Sequence, residues 1–449
     1  MRSSDSLRCA AALLALAARL MGAQGTSASI YPIDLPTALR LVDAQNLDVQ
    51  IARERVKEAQ ANRTSAVEQF FPWLAPGIGY HRRDGVAQAS PSGVIGNADY
   101  QSYSPGVALT AQMALGDAIY NSLAARQLVR ASDHALEAQR QSAALTAAQG
   151  YLDLAKAKAL VEVVREALTT SQDYQQQLHD AVAIGIAFRG DELRVQAQTE
   201  HYQIVLRQSI EQQRVAAVVL SQVLHLDANV ELVPREDELV PLVLFDTAAS
   251  MEALVARAML SRPELKQTEA LLAASRASRN AAVYGPLIPS IGAQAFGGKL
   301  GGGPDSGRGR VGPVSDYTLG VNWRIGPGGL FDFGRINSSD AQLATVQLGD
   351  SKLRDAIAAD VVTSLTRVRA QSDQIVLAEK DLSTANETLR LTRARKQFGV
   401  GIVLEDIQAQ QAVTQARSDY VTAVAEFDKA QYGLNKAVGG GSERRSPRP

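Results

Sequence analysis

The chain has 449 residues, a formal net charge of −1, few aromatics and a single cysteine. Its near-neutrality excludes a nucleic-acid partner held by phosphate neutralisation. The histidines (His81, His134, His179, His201, His225) form no pair at metal-ligand spacing, and no acid, base or nucleophile cluster or phosphate-binding glycine loop is present, so no enzyme, cofactor or metal site is expected.

The N-terminus has the composition of an export signal: Arg2 and Arg8, a mostly apolar run from Cys9 to Ala18, then small residues. Residues 1–25 are read as a signal peptide, with cleavage after Gly25 or, alternatively, after Ala28. Cys9 precedes most of the apolar run, whereas a lipid-anchor cysteine follows it. Lipidation and disulfides are therefore not expected. No other stretch approaches the roughly eighteen consecutive apolar residues of a membrane-spanning helix. An exported helical chain of this kind belongs in the periplasm or the outer membrane.

After the signal, 35–70 carries a helical apolar face (Ala38, Leu39, Val42, Val49, Val56) that Pro72 ends. Residues 73–82 read as a strand and 84–104 as an exposed loop. Val107, Leu109, Ala111, Met113 and Leu115 then alternate as a second strand, antiparallel to the first. A proline-free helix follows over 117–183 and breaks at Ile184-Gly185-Ile186; a helix returns over 191–226. A small mixed element is placed at 227–250, where Pro234 and Pro241 fall.

The pattern then begins again: helix 251–284, hairpin 287–326 around a glycine-rich loop, long helix 335–398, tip 399–404 and a return to 439, with a flexible tail at 440–449. Leu343, Val346, Leu353, Ile357, Val361, Leu365 and Val368 recur at threes and fours, the stripe of an amphipathic helix. At about 1.5 Å per residue this rod would span roughly 95 Å. Gly185 lies six residues before Asp191, and Gly399 six before Glu405. The expected organisation is two copies of one unit, 33–226 and 251–439.

In the last strand Tyr317, Leu319, Val321 and Trp323 share one face, with Asn322 and Arg324 on the other. Two hairpins bury too little to stand alone in water. A barrel closed from several chains would remove their edges and turn the apolar face to lipid. Trp73, Tyr80, Tyr103, Tyr317 and Trp323 near strand ends suit its aromatic belts.

With these features the sequence resembles the TolC family of outer-membrane factors. The resemblance covers roughly 36–439. It rests on the duplicated pattern, the entry Leu330-Phe331-Asp332-Phe333-Gly334-Arg335 and the tips Ile184-Gly185-Ile186…Asp191-Glu192-Leu193 and Phe398-Gly399-Val400…Glu405-Asp406-Ile407. The ending Ala437-Val438-Gly439 agrees; Leu115-Gly116-Asp117-Ala118 departs from the Phe-Asp-Phe-Gly-Arg form of the second half. The resemblance implies a mainly α fold with a small β part, in which a homotrimer forms a helical tunnel topped by a 12-stranded outer-membrane barrel, four strands per chain. It implies the exit duct of a tripartite efflux pump or type I secretion system, joined through a periplasmic membrane-fusion (adaptor) protein to an inner-membrane transporter. Ile184, Gly185, Ile186, Phe398, Gly399 and Val400 would meet the adaptor. Glu405 and Gln408 would line the closed entrance, the glutamine standing where a second acid is found in the family. The alternative, a periplasmic coiled-coil adaptor, is normally one helical hairpin flanked by β-rich modules.

Overall fold

The structure is a computed structural model and describes residues 29–88, 93–97, 99–227, 229–236, 238–304, 311–397 and 402–440. The tip residues Phe398, Gly399 and Val400, the signal 1–25 and the tail from 441 onward lie outside the described residues. The chain is mainly helical with a small sheet part, in two compact units.

The first unit is built from 29–51, 137–262 and 356–440. It opens with β1 (Ser29–Ile33), paired in parallel with β6 (Val230–Pro234). Helix α1 (Leu35–Gln45) starts on Asp34, whose carboxylate accepts the Thr37 amide at 2.8 Å. The single helix expected over 35–70 is two, because Asn46 ends α1 and begins α2 (Leu47–Glu68). Its Oδ1 accepts the amides of Asp48 and Val49, and its Nδ2 donates to the Val223 carbonyl at 2.9 Å. The corresponding helix over 251–284 also divides, at Arg262, into α5 (Met251–Ser261) and α6 (Pro263–Tyr284). The buried Arg262 guanidinium donates to the Ala437 carbonyl at 2.9 Å and pairs with Asp360. Both breaks are thus tied to the end of a return helix, α4 (Arg189–Val223) and α8 (Val403–Ala437) respectively. Of the apolar stripe, Ile357, Val361, Leu365 and Val368 are wholly buried in this unit, on α7 (Phe333–Gln397). No described helix is long and apolar enough to cross a membrane.

The second unit, 52–136 and 263–355, holds the sheet and the adjoining helix ends. Strands β2 (Trp73–Arg83), β5 (Tyr100–Ala114), β7 (Ser290–Pro304) and β8 (Gly312–Asn322) pair antiparallel in the order β2-β5-β7-β8. The small ribbon of β3 (Val86–Gln88) and β4 (Ile95–Asn97) adds a pair that alternation in the sequence did not indicate. Long helix α3 (Leu115–Ala183) leaves β5 without a loop. Asp117 in its first turn binds Arg335 of α7 at 2.6 Å, and Arg279 binds Asp340 at 2.5 Å. Gly116 lets α3 approach the 285–287 turn: a Cβ there would overlap the Gly285 carbonyl and lie 2.7 Å from its Cα. Gly116→Ala is therefore expected to cost about 1–3 kcal/mol by overpacking, measured as a lower apparent Tm of the purified protein. An unchanged Tm would show that the turn gives way freely.

Candidate functional site

Two surfaces stand out. The first is a face of the sheet. Residues directly opposite in an antiparallel pair point to the same side, so the register defines each face across all four strands. Tyr317, Leu319 and Val321 of β8 stand opposite Ala295, Ala293 and Ile291 of β7. These in turn stand opposite Leu109, Ala111 and Met113 of β5, and Leu109 stands opposite Leu74 of β2. Every member is apolar. The other face reads Thr318, Gln294 and Thr110, with Gly320, Gly292 and Gln112 beside them. Leu74, Leu109, Tyr317, Leu319 and Val321 are all exposed, so no described part of the chain covers this apolar face. β2 and β8 each have one edge without a partner among the described strands.

Three expected positions shift. β8 begins at Gly312, paired with Leu300, which puts Tyr317 in mid-strand rather than at its start. β8 also ends at Asn322, because Leu330 N–H donates to the Arg324 carbonyl and Gly326 N–H to the Leu330 carbonyl, both at 2.9 Å. Trp323 thus sits just past the strand, its indole donating to the Leu287 carbonyl at 3.3 Å. Trp73 opens β2 opposite Thr110, on the polar face.

The second surface is the turn between α3 and α4. Gly185 adopts φ +79°, the left-handed conformation that closes a helix. Its N–H donates to the Val182 carbonyl and that of Ile186 to the Ala181 carbonyl, both at 3.0 Å. In such a cap the residue after the glycine usually packs back on the helix. Here it does not: Ile184 is 72% exposed, Ile186 77% and Phe188 73%. The turn is nevertheless seated, since Ala187 packs on a buried cluster of Tyr174, Leu178, Val195 and Ile407. Phe188 was not singled out from sequence; Gly190 makes room for its ring, which an added Cβ would strike.

The acids at the helix starts differ from one another. Asp191 pairs with Arg194 at 3.0 Å and Glu192 with His179 at 2.8 Å. That hydrogen bond and the Glu192 charge raise the His179 pKa. Glu405 is half-buried and pairs with Arg395 of α7 at 3.3 Å, while Gln408 is exposed. Asp406 is the buried one; Tyr174's own burial and, after it, the Asp406 charge push the Tyr174 hydroxyl pKa up. Among the described residues no cluster of His, Cys, Asp and Glu could hold a metal ion.

Residues 254–440 match the family model described as "Outer membrane efflux protein". A nodulation protein T from Rhizobium leguminosarum bv. trifolii is 24% identical over 424 residues, 89% of this chain and 84% of the relative. A membrane protein from Pseudomonas aeruginosa superposes with a TM-score of 0.75 at 20% identity, covering 92% of this chain and 95% of its own. The CmeC outer membrane channel of Campylobacter jejuni superposes with a TM-score of 0.75 at 16% identity, covering 92% of this chain and 87% of its own. Residues 254–440 thus resemble the outer membrane efflux protein family, and nine-tenths of the chain's length carries the fold of solved outer-membrane channels.

Proposed function

We propose that this chain is the outer-membrane exit duct of an efflux pump or type I secretion system. It passively conducts substrates delivered by an inner-membrane transporter through a periplasmic adaptor. The observation that carries this reading is the sheet: one face continuously apolar and uncovered, with two edge strands of 11 residues each. A membrane-crossing strand needs about 9–11 residues. A homotrimer that pairs β8 of one copy with β2 of the next would close a 12-stranded barrel without edges. The matched lengths of α1 and α5 (11 residues), α2 and α6 (22) and α4 and α8 (35) support a duplication over 33–226 and 251–439, after a signal peptide at 1–25. The adaptor alternative has no use for such a sheet. Extraction discriminates: the duct leaves the outer membrane only in detergent and conducts in planar bilayers, whereas release by salt alone would refute it.

At the entrance, three-fold symmetry would bring Glu405 to the axis three times and make a ring attractive to cations. The Arg395 pairing and the neutral Gln408 keep that ring weak. With multivalent cations added on the periplasmic side, conductance block is expected to be lost in Glu405→Gln and kept in Asp191→Asn. Equal block in Glu405→Gln and the unaltered protein would leave Glu405 as a partner of Arg395 only.

A further inference from the structure

The segment 238–250, which joins β6 to α5, is held by side chains instead of by a neighbouring strand. Leu242 N–H donates to Asp428 Oδ1 at 2.7 Å, and Phe245 N–H to Gln431 Oε1 at 2.9 Å. Gln431 Nε2 returns a bond to the Phe245 carbonyl at 3.2 Å. Further along, Arg369 of α7 donates to the carbonyls of Thr247 and Ala249 at 2.9 and 3.0 Å. Asp428 and Gln431 are three apart on α8, both fully buried, and the two amides they hold are also three apart. The strap itself leaves Val240, Val243 and Leu244 exposed.

The two holding groups differ in one respect. Gln431 cannot ionise, and both ends of its amide are engaged. Asp428 can ionise, and its Oδ2 is buried with no hydrogen-bond partner among the described residues. Among the described residues no cation is paired with it. Lys429 is taken up by Asp153 and Glu426, Lys156 of α3 by Glu426 and Asp153, and Arg369 by the strap carbonyls. Within the strap Glu238 and Asp246 are exposed acids. Also on α8, beside Glu426 and Lys429, is Tyr432, whose pKa is raised by its own burial and by the Asp428 charge.

We propose that Asp428 is a proton-operated latch: protonated, it holds the strap on α8, and on ionisation the Leu242 end lifts to let water reach the carboxylate. An unpaired charge in a buried site is costly, and hydration of that charge removes the cost. Burial pushes the Asp428 carboxyl up to about 7, while the Leu242 amide pulls it down by less. Opening the strap would hydrate the carboxylate and remove the cause of that rise, returning the group toward its ordinary 3.8. The closed strap therefore binds a proton that the open strap releases. Its extra stability is complete below about pH 4, is lost as pH rises to about 7, and changes little above that. The tightness of the segment joining the two halves of the chain thus follows the pH around it.

Amide hydrogen exchange of the full-length protein in detergent tests this. After correction for intrinsic rates, protection of the Leu242 segment is expected to fall roughly a hundredfold from pH 5 to 7.5, tenfold per pH unit through the window. In Asp428→Asn, which keeps an acceptor for Leu242 N–H, protection should stay level over the same range. Constant protection in the unaltered protein overturns the latch without reference to any variant. A decline of the same size in Asp428→Asn overturns it too, by assigning the proton to another group.

Discussion

Leu319→Arg is expected to remove most of the folded assembly from the outer membrane, whereas Thr318→Arg leaves its yield near normal. The two residues are neighbours in β8 and differ only in the face they occupy. Leu319 lies on the apolar side, opposite Ala293 and then Ala111; Thr318 lies on the polar side, opposite Gln294 and then Thr110. A charge on the lipid face of a barrel costs about 2–4 kcal/mol at the bilayer midplane and about 0–1 near the interfaces. Leu319 is deeper in the strand than Val321 or Trp323, so it should feel more of that cost. In a trimer it would be incurred three times. The water-lined lumen of the proposed barrel would accept the arginine of Thr318→Arg with little cost. The measurement is the amount of folded assembly recovered from outer membranes. Equal yields from the two variants would mean that the apolar face does not meet lipid, and the barrel would have to be abandoned.

The long helices were legible because their periodicity is local. Ile357, Val361, Leu365 and Val368 announce a buried stripe without reference to any partner, and all four are wholly buried. That of β8 was legible for the same reason, since the alternation of Tyr317, Leu319 and Val321 is a property of this strand alone. What could not be read depends on groups far apart in sequence. The parallel pair of β1 and β6 joins segments some two hundred positions apart, each of five residues. The break at Asn46 involves neither glycine nor proline; it arises from a side chain that caps α2 and reaches the Val223 carbonyl. At Arg262 the following proline was visible, but the anchoring to Ala437 and Asp360 was not. The same limit applies to the candidate sites. Gly185 declared a tip by its residue type, whereas the exposure of Phe188 depends on how the turn leaves the helix. Glu405 could be read as an acid at a helix start, but its ion pair with Arg395 belongs to the packing of α8 on α7.

If the chain is the proposed exit duct, the exposed tip is where binding to an adaptor should be most easily destroyed without harm to the fold. Replacing Ile184, Ile186 and Phe188 together by serine leaves Gly185 and its cap hydrogen bonds in place. It also leaves the cluster of Tyr174, Leu178, Val195 and Ile407 that seats Ala187. All three side chains are largely exposed, and exposed substitutions of this kind usually shift stability by no more than about 0.5 kcal/mol, so the trimer should assemble normally. Binding is another matter. An apolar side chain buried at an interface contributes about 1.5–3 kcal/mol, and even partial burial of three would supply several kcal/mol. Since each 1.4 kcal/mol is about tenfold in affinity, adaptor affinity should fall by roughly two orders of magnitude or more, and transport through the reconstituted pump with it. The measurements are adaptor binding to the detergent-purified trimer and substrate transport in cells carrying the variant. If both persist while the trimer is intact, Ile184, Ile186 and Phe188 are not the contact, and the exposed turn is only the way this helix ends.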